Sequence, residues 1–185
     1  MFEEQHLERL RKASRYFAFP FDSENLKQKI EEECQACDDN QDYRLRISLS
    51  KSGEIKLSRQ VLTPLCPSFC EAKLCLQEAD LNQSFTYFKT TYRPHLSLGE
   101  QEIIYHNKSG ELLETSIGNL VLKISGKLYT PPIRLGILPG ICRQHLLETG
   151  QVEEKVLTLK DLARAEAIYG CNAVRGLYEL RLEEN

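Results

Sequence analysis

Apolar residues first recur at helical spacing. Leu7, Leu10 and Phe17, with the small Ser14, share one face and predict a helix over residues 3–17. Phe19-Pro20-Phe21 ends it, because proline cannot continue the backbone hydrogen bonding. A second helix is predicted from about Ser23 to Cys37, closed by Asp38-Asp39-Asn40. The period then changes to two. Tyr43, Leu45, Ile47 and Leu49 point one way and Arg44, Arg46, Ser48 and Ser50 the other, which predicts a half-buried strand. Lys51-Ser52-Gly53 is a turn, and Ile55 and Leu57 begin the returning strand.

Pro64-Leu65-Cys66-Pro67 reads as a link between two lobes. Residues 1–66 form a small N-terminal α/β lobe and 67–185 a larger C-terminal one. In the larger lobe, short apolar segments at 72–76 and 84–88 precede a strand at 102–106. Asn119–Ile124 and Lys127–Thr130 form a hairpin around Ser125-Gly126. Pro139-Gly140 opens a helix that ends near Gly150, and Thr158-Leu159-Lys160-Asp161 is a capping box that starts another. Residues 167–171 and 177–182 close the chain as strands. The class is α+β with mostly antiparallel strands.

Composition narrows the function classes. The chain has 185 residues, 41% hydrophobic and 28% charged, with a net charge of −3. That balance calls for neither nucleic acid nor an anionic membrane. No apolar run reaches transmembrane length, and MFEEQHLERL lacks the apolar core of a signal peptide, so the expectation is a cytoplasmic protein. There are seven cysteines, an odd number that fits reduced thiols. Cys34 and Cys37 have half of a zinc-site spacing. No second Cys/His pair completes it, and they fall on the stripe of Leu26 and Ile30, so they read as core residues and no metal is expected. His6, His95, His106 and His145 have no catalytic spacing and read as structural.

Three segments go further. The run Gly110–Leu120, Gly-Glu-Leu-Leu-Glu-Thr-Ser-Ile-Gly-Asn-Leu, continues to Pro132 and then to Leu138-Pro139-Gly140-Ile141-Cys142-Arg143. It is similar to the central signature of the class IV aminotransferases, the fold type IV pyridoxal-phosphate enzymes. Phe88-Lys89-Thr90-Thr91-Tyr92-Arg93 resembles their cofactor-lysine segment. His6-Leu7-Glu8-Arg9-Leu10 with Tyr16–Asp22 resembles the first helix of their small domain. Tyr43-Arg44-Leu45-Arg46 and Cys171-Asn172-Ala173-Val174-Arg175-Gly176 fit the aminodeoxychorismate lyase branch, above all the forms fused to the synthase. Those usually carry Asn where this chain has Tyr92. The resemblance covers nearly the whole chain.

It implies a two-lobed fold with pyridoxal 5'-phosphate in a cleft between the lobes, in a homodimer. A protein must supply partners for the cofactor's aldehyde, ring nitrogen and phosphate. The resemblance gives the aldehyde to Lys89, whose amine would also move protons at the reacting carbon. It gives the ring nitrogen to Glu114; the spacing to Asn119 selects this residue over Glu111. Arg9 and the backbone N–H groups of Ile141 and Cys142 would hold the phosphate, with Gly140 allowing close approach. Family members often have Thr at position 142. Asn172 and Ala173 would lie near the phosphate and ring. Arg44 and Arg46 share a strand face that either binds a substrate carboxylate or is merely solvated, and Arg93 and Arg175 are further candidates for substrate contact.

The implied activity is a lyase that converts 4-amino-4-deoxychorismate to 4-aminobenzoate and pyruvate, feeding folate synthesis. An aminotransferase for branched-chain or D-amino acids would use the same lysine, acid and phosphate cup. A third possibility is an inactive relative kept as a binding subunit. It is motivated by two departures. The hairpin that normally precedes the first helix is missing, and the Arg93–Glu102 segment is short and carries Pro94.

Overall fold

The computed structural model describes residues 2–64, 69–77, 84–97, 99 and 101–183. The chain divides into two compact units, Met1–Pro64 and Leu65–Asn185. The predicted link at 65–67 lies outside the described residues.

The first unit contains helices α1 (Glu3–Tyr16) and α2 (Ser23–Gln35) and the antiparallel pair β1 (Tyr43–Leu49) and β2 (Ile55–Val61). Asp22 starts α2: its carboxylate accepts the N–H groups of Glu24 and Asn25, both at 3.0 Å. Leu7, Leu26 and Ile55 form the core, with Leu10, Ile30, Ile47 and Leu57 packed around them. The apolar stripe of α2 runs out before the helix does. Cys34 is exposed and Cys37 half-buried, so the expectation of two core cysteines fails at the end of the helix.

The second unit is built on an eight-stranded sheet. Its strands are β3 (Phe69–Leu76), β4 (Glu102–His106), β5 (Leu112–Thr115), β6 (Asn119–Ile124), β7 (Lys127–Thr130), β8 (Glu153–Glu154), β9 (Ala167–Asn172) and β10 (Gly176–Leu182). The order is β5-β4-β3-β10-β9-β6-β7-β8, and β5 also meets β6. That last pairing rests on Glu114 opposite Asn119 and closes six strands into a barrel. The pairings of β3 with β4, β3 with β10, and β7 with β8 are parallel; the others are antiparallel. The helices are α3 (Ser84–Tyr87), α4 (Ile141–Glu148) and α5 (Leu159–Ala163). The capping box at Thr158 and Asp161 is present as read from the sequence.

Ala72, Ile104, Leu112, Leu120, Leu122, Leu157 and Leu180 fill one core, together with Tyr178. Tyr178 brings a polar end into it. Its hydroxyl donates to Oε1 of buried Glu102 (2.7 Å), and Ser116 donates to Oε2 of the same carboxylate (2.6 Å). Both carboxylate oxygens are thus satisfied, as burial requires. Gly170 makes room for the phenol: a Cβ there would lie 2.4 Å from the ring.

Candidate active site

The site begins where the barrel closes. Glu114 ends up 4% exposed on β5, beside Asn119 on β6. Both side chains reach the same stretch of backbone. Leu138 N–H donates to Glu114 Oε2 at 3.3 Å, and Asn119 Nδ2 donates to the Leu138 carbonyl at 2.8 Å. Leu138 is therefore clasped from both sides, two residues before Gly140.

Gly140 is the N-cap of α4, which has no side-chain cap. The first helical hydrogen bond runs from Gln144 N–H to Gly140 C=O (2.9 Å), so the amides of Ile141, Cys142 and Arg143 lie ahead of it. Such a helix start attracts an anion. The glycine is sterically required, since a Cβ would fall 2.0 Å from Asn119 Oδ1. Cys142 can offer its backbone only. Its thiol is buried with Val121, Val152 and Cys171 and shares a hydrogen bond with the Cys171 thiol.

Arg93 supplies the opposing charge, with its Nη2 3.5 Å from Glu114 Oε1. The Arg93 side chain is 14% exposed, and burial pulls its pKa down. Glu114 responds to its surroundings in the opposite direction. Burial lifts its carboxyl from 4.5 to about 7, against the pull of Arg93, the Leu138 N–H and the charge of Lys89. The Lys89 side chain is exposed, just beyond α3, yet its charge is felt at Glu114. The amine and the acid, twenty-five positions apart, thus belong to one electrostatic neighbourhood.

The other predicted residues separate into groups. Asn172 uses its side chain in a turn, accepting the N–H groups of Val174 and Arg175 at 3.0 and 2.9 Å, with Ala173 between them. Arg175 is half-buried and its charge reaches the Cys70 thiol. Arg9, Arg44 and Arg46 belong to the first unit. Arg9 lies 3.2 Å from His6 Nδ1, Arg44 donates to Gln60 across the strand pair (2.8 Å), and Arg46 is exposed. Sequence reasoning missed two things. One is the Asn119–Leu138 clasp, and the other is His95, buried two positions beyond Arg93. The spacing of histidines gave no signal for His95, because burial is a tertiary property.

These residues fit pyridoxal phosphate. A buried carboxyl and an uncapped helix start with a glycine cradle are joined through a few residues of β5, β6 and the Leu138 backbone, and the charge of an amine-bearing side chain reaches that carboxyl. The family profile of amino-transferase class IV matches residues 1–182, and the chain belongs to that family. It has the family's fold type IV architecture. Aminodeoxychorismate lyase of Saccharomyces cerevisiae is 26% identical over 75% of this chain; the chain spans 51% of that relative's length. A Schizosaccharomyces pombe protein, provisionally named aminodeoxychorismate lyase, is 25% identical over 92% of this chain and 79% of its own. A Mesorhizobium loti crystal structure, provisionally described as an amino-acid aminotransferase, superposes with a TM-score of 0.88 at 26% identity. It covers 99% of this chain and 92% of its own.

Proposed function

We propose that this chain is a pyridoxal-phosphate-dependent 4-amino-4-deoxychorismate lyase that releases 4-aminobenzoate and pyruvate. The observation that carries the cofactor is the buried Glu114 carboxyl, within reach of the Lys89 charge and tied through Leu138 to the start of α4. The two fungal relatives that bear the lyase name support the reaction.

Bound pyridoxal phosphate supplies an electron sink for the carbanion left when the amine-bearing carbon loses its proton. Lys89 holds the cofactor covalently through Nζ. Its amine, when free, would take the proton from that carbon and deliver one to the departing enolpyruvyl group. Glu114 keeps a proton on the ring nitrogen. A cation placed against its carboxyl would lower the pKa from about 7 and favour the ionised acid. The amides of Ile141 and Cys142 would bind the phosphate. Asn172 and Ala173, in their turn, would lie near the phosphate and ring, and Arg175 would contact the substrate. The enzyme works as a homodimer.

An amino-acid aminotransferase is the second reading, favoured by the Mesorhizobium loti likeness. One experiment addresses both. The protein is loaded with pyridoxal phosphate, reduced with borohydride and peptide-mapped, and turnover is followed by release of 4-aminobenzoate and pyruvate. The label is expected on Lys89, and Lys89→Ala loses activity by roughly 100-fold or more. A label on another lysine refutes the site. Keto-acid exchange from an amino acid without pyruvate release refutes the lyase.

A further inference from the structure

His95 is 5% exposed, and among the described residues neither of its ring nitrogens has a hydrogen-bond partner. The same is true of Nε and Nη2 of Arg93, although Nη2 lies at ion-pair distance (3.5 Å) from Glu114. Both residues ride on one tight turn. Leu96 N–H donates to the Arg93 carbonyl (3.1 Å), and Pro94 occupies the position that favours this geometry. A buried polar group left without a partner is destabilising. Four such atoms lie on a single turn, and the N–H donors among them point to a ligand that accepts hydrogen bonds.

The chemistry selects the ligand. Burial and the neighbouring Arg93 charge hold the imidazole neutral, with its pKa pushed down to about 4. It therefore presents one N–H at neutral pH. The guanidinium presents donors only and carries a charge that repels cations. Glu114 offsets that charge incompletely, since its own carboxyl is close to half-protonated at pH 7. Water could accept the hydrogen bonds but would leave the charge unmatched. An oxyanion satisfies both.

We infer that the Arg93–Leu96 turn is an oxyanion subsite in which Arg93 and His95 together bind the carboxylate of a small organic acid beside Glu114. This rests on the lyase reading, in which the substrate and both products carry carboxylates. The cofactor's phenolic oxygen offers similar chemistry, and the test separates the two sources.

The imidazole resonances of His95, assigned with His95→Gln, are followed by NMR in the full chain with and without cofactor. 4-Aminobenzoate is expected to shift them and to raise the His95 pKa. Aniline, which lacks the carboxylate, is expected to leave them unchanged. Arg93→Gln weakens 4-aminobenzoate binding about 10- to 100-fold, the loss of a charged hydrogen bond. An equal response to aniline, a response to pyridoxal phosphate alone, or no response to any of them overturns the assignment. Borohydride labelling of Lys89 stands apart from this result. Labelling with a silent His95 sinks the subsite only, whereas a carboxylate response without labelling sinks the cofactor reading.

Discussion

Replacing Glu114 with Gln should change the pH dependence of stability in the cofactor-free protein. The folded-state pKa of Glu114 is raised from 4.5 to about 7. Between those values the native state holds a proton that the unfolded chain releases, so stability falls as pH rises. Taken at roughly 1.4 kcal/mol per pH unit, the loss is about 3 kcal/mol by pH 8. His95 acts in the opposite sense. Its pKa is lowered from 6.5 to about 4, so the unfolded chain binds the extra proton and stability rises with pH between those values, again by about 3 kcal/mol. In the wild type the two slopes nearly cancel from pH 4.5 to 6.5. The variants uncover them. Urea melts from pH 4 to 8 should show Glu114→Gln gaining on the wild type by about 3 kcal/mol as pH rises through 7, whatever fixed cost comes from leaving Arg93 unpaired. His95→Gln should lose stability over the same range. Groups unchanged between the proteins, such as Asp161, drop out of the difference. A wild-type-minus-variant difference that stays level from pH 4.5 to 8 would refute the account of a buried, proton-holding Glu114.

Three more substitutions test the neighbouring structure. Gly140→Ala places a methyl 2.0 Å from Asn119 Oδ1, and overpacking of this kind costs about 1–3 kcal/mol, so a fluorescence titration should show pyridoxal phosphate bound about 10- to 100-fold more weakly. Tyr178→Phe removes one of the two hydroxyl donors to Glu102 and should lower stability by about 1–3 kcal/mol in a urea melt, with the cofactor-labelling pattern unchanged. Thr158→Ala breaks the capping box of α5 and should cost about 1 kcal/mol, with cofactor affinity unaltered in the same titration.

Periodicity carried the local structure well. The alternation at Tyr43–Leu49, the hairpin around Ser125-Gly126 and the capping box at Thr158 are short-range signals, and each is where the sequence put it. Pairing between distant strands leaves no such mark. The start of β3 at Phe69 and its two parallel neighbours depend on which segments meet across the fold. The candidate site divides similarly. Lys89, Glu114 and Gly140 stood out through resemblance to a family. The Leu138 clasp and the unpartnered His95 did not, because a hydrogen bond between residues 19 or 24 positions apart has no signature in spacing.

The far end of the eight-stranded sheet has a consequence for solubility. Among the described residues, β8 is the terminal strand of that order, while at the other end β5 turns back to meet β6. An unpaired strand margin invites a second chain to add on and seed aggregation. Here that margin is two residues long, and both are exposed glutamates. Two copies approaching margin to margin would bring like charges together over a template too short to hold a new strand. The sheet is thus guarded against growth where its hydrogen bonding stops.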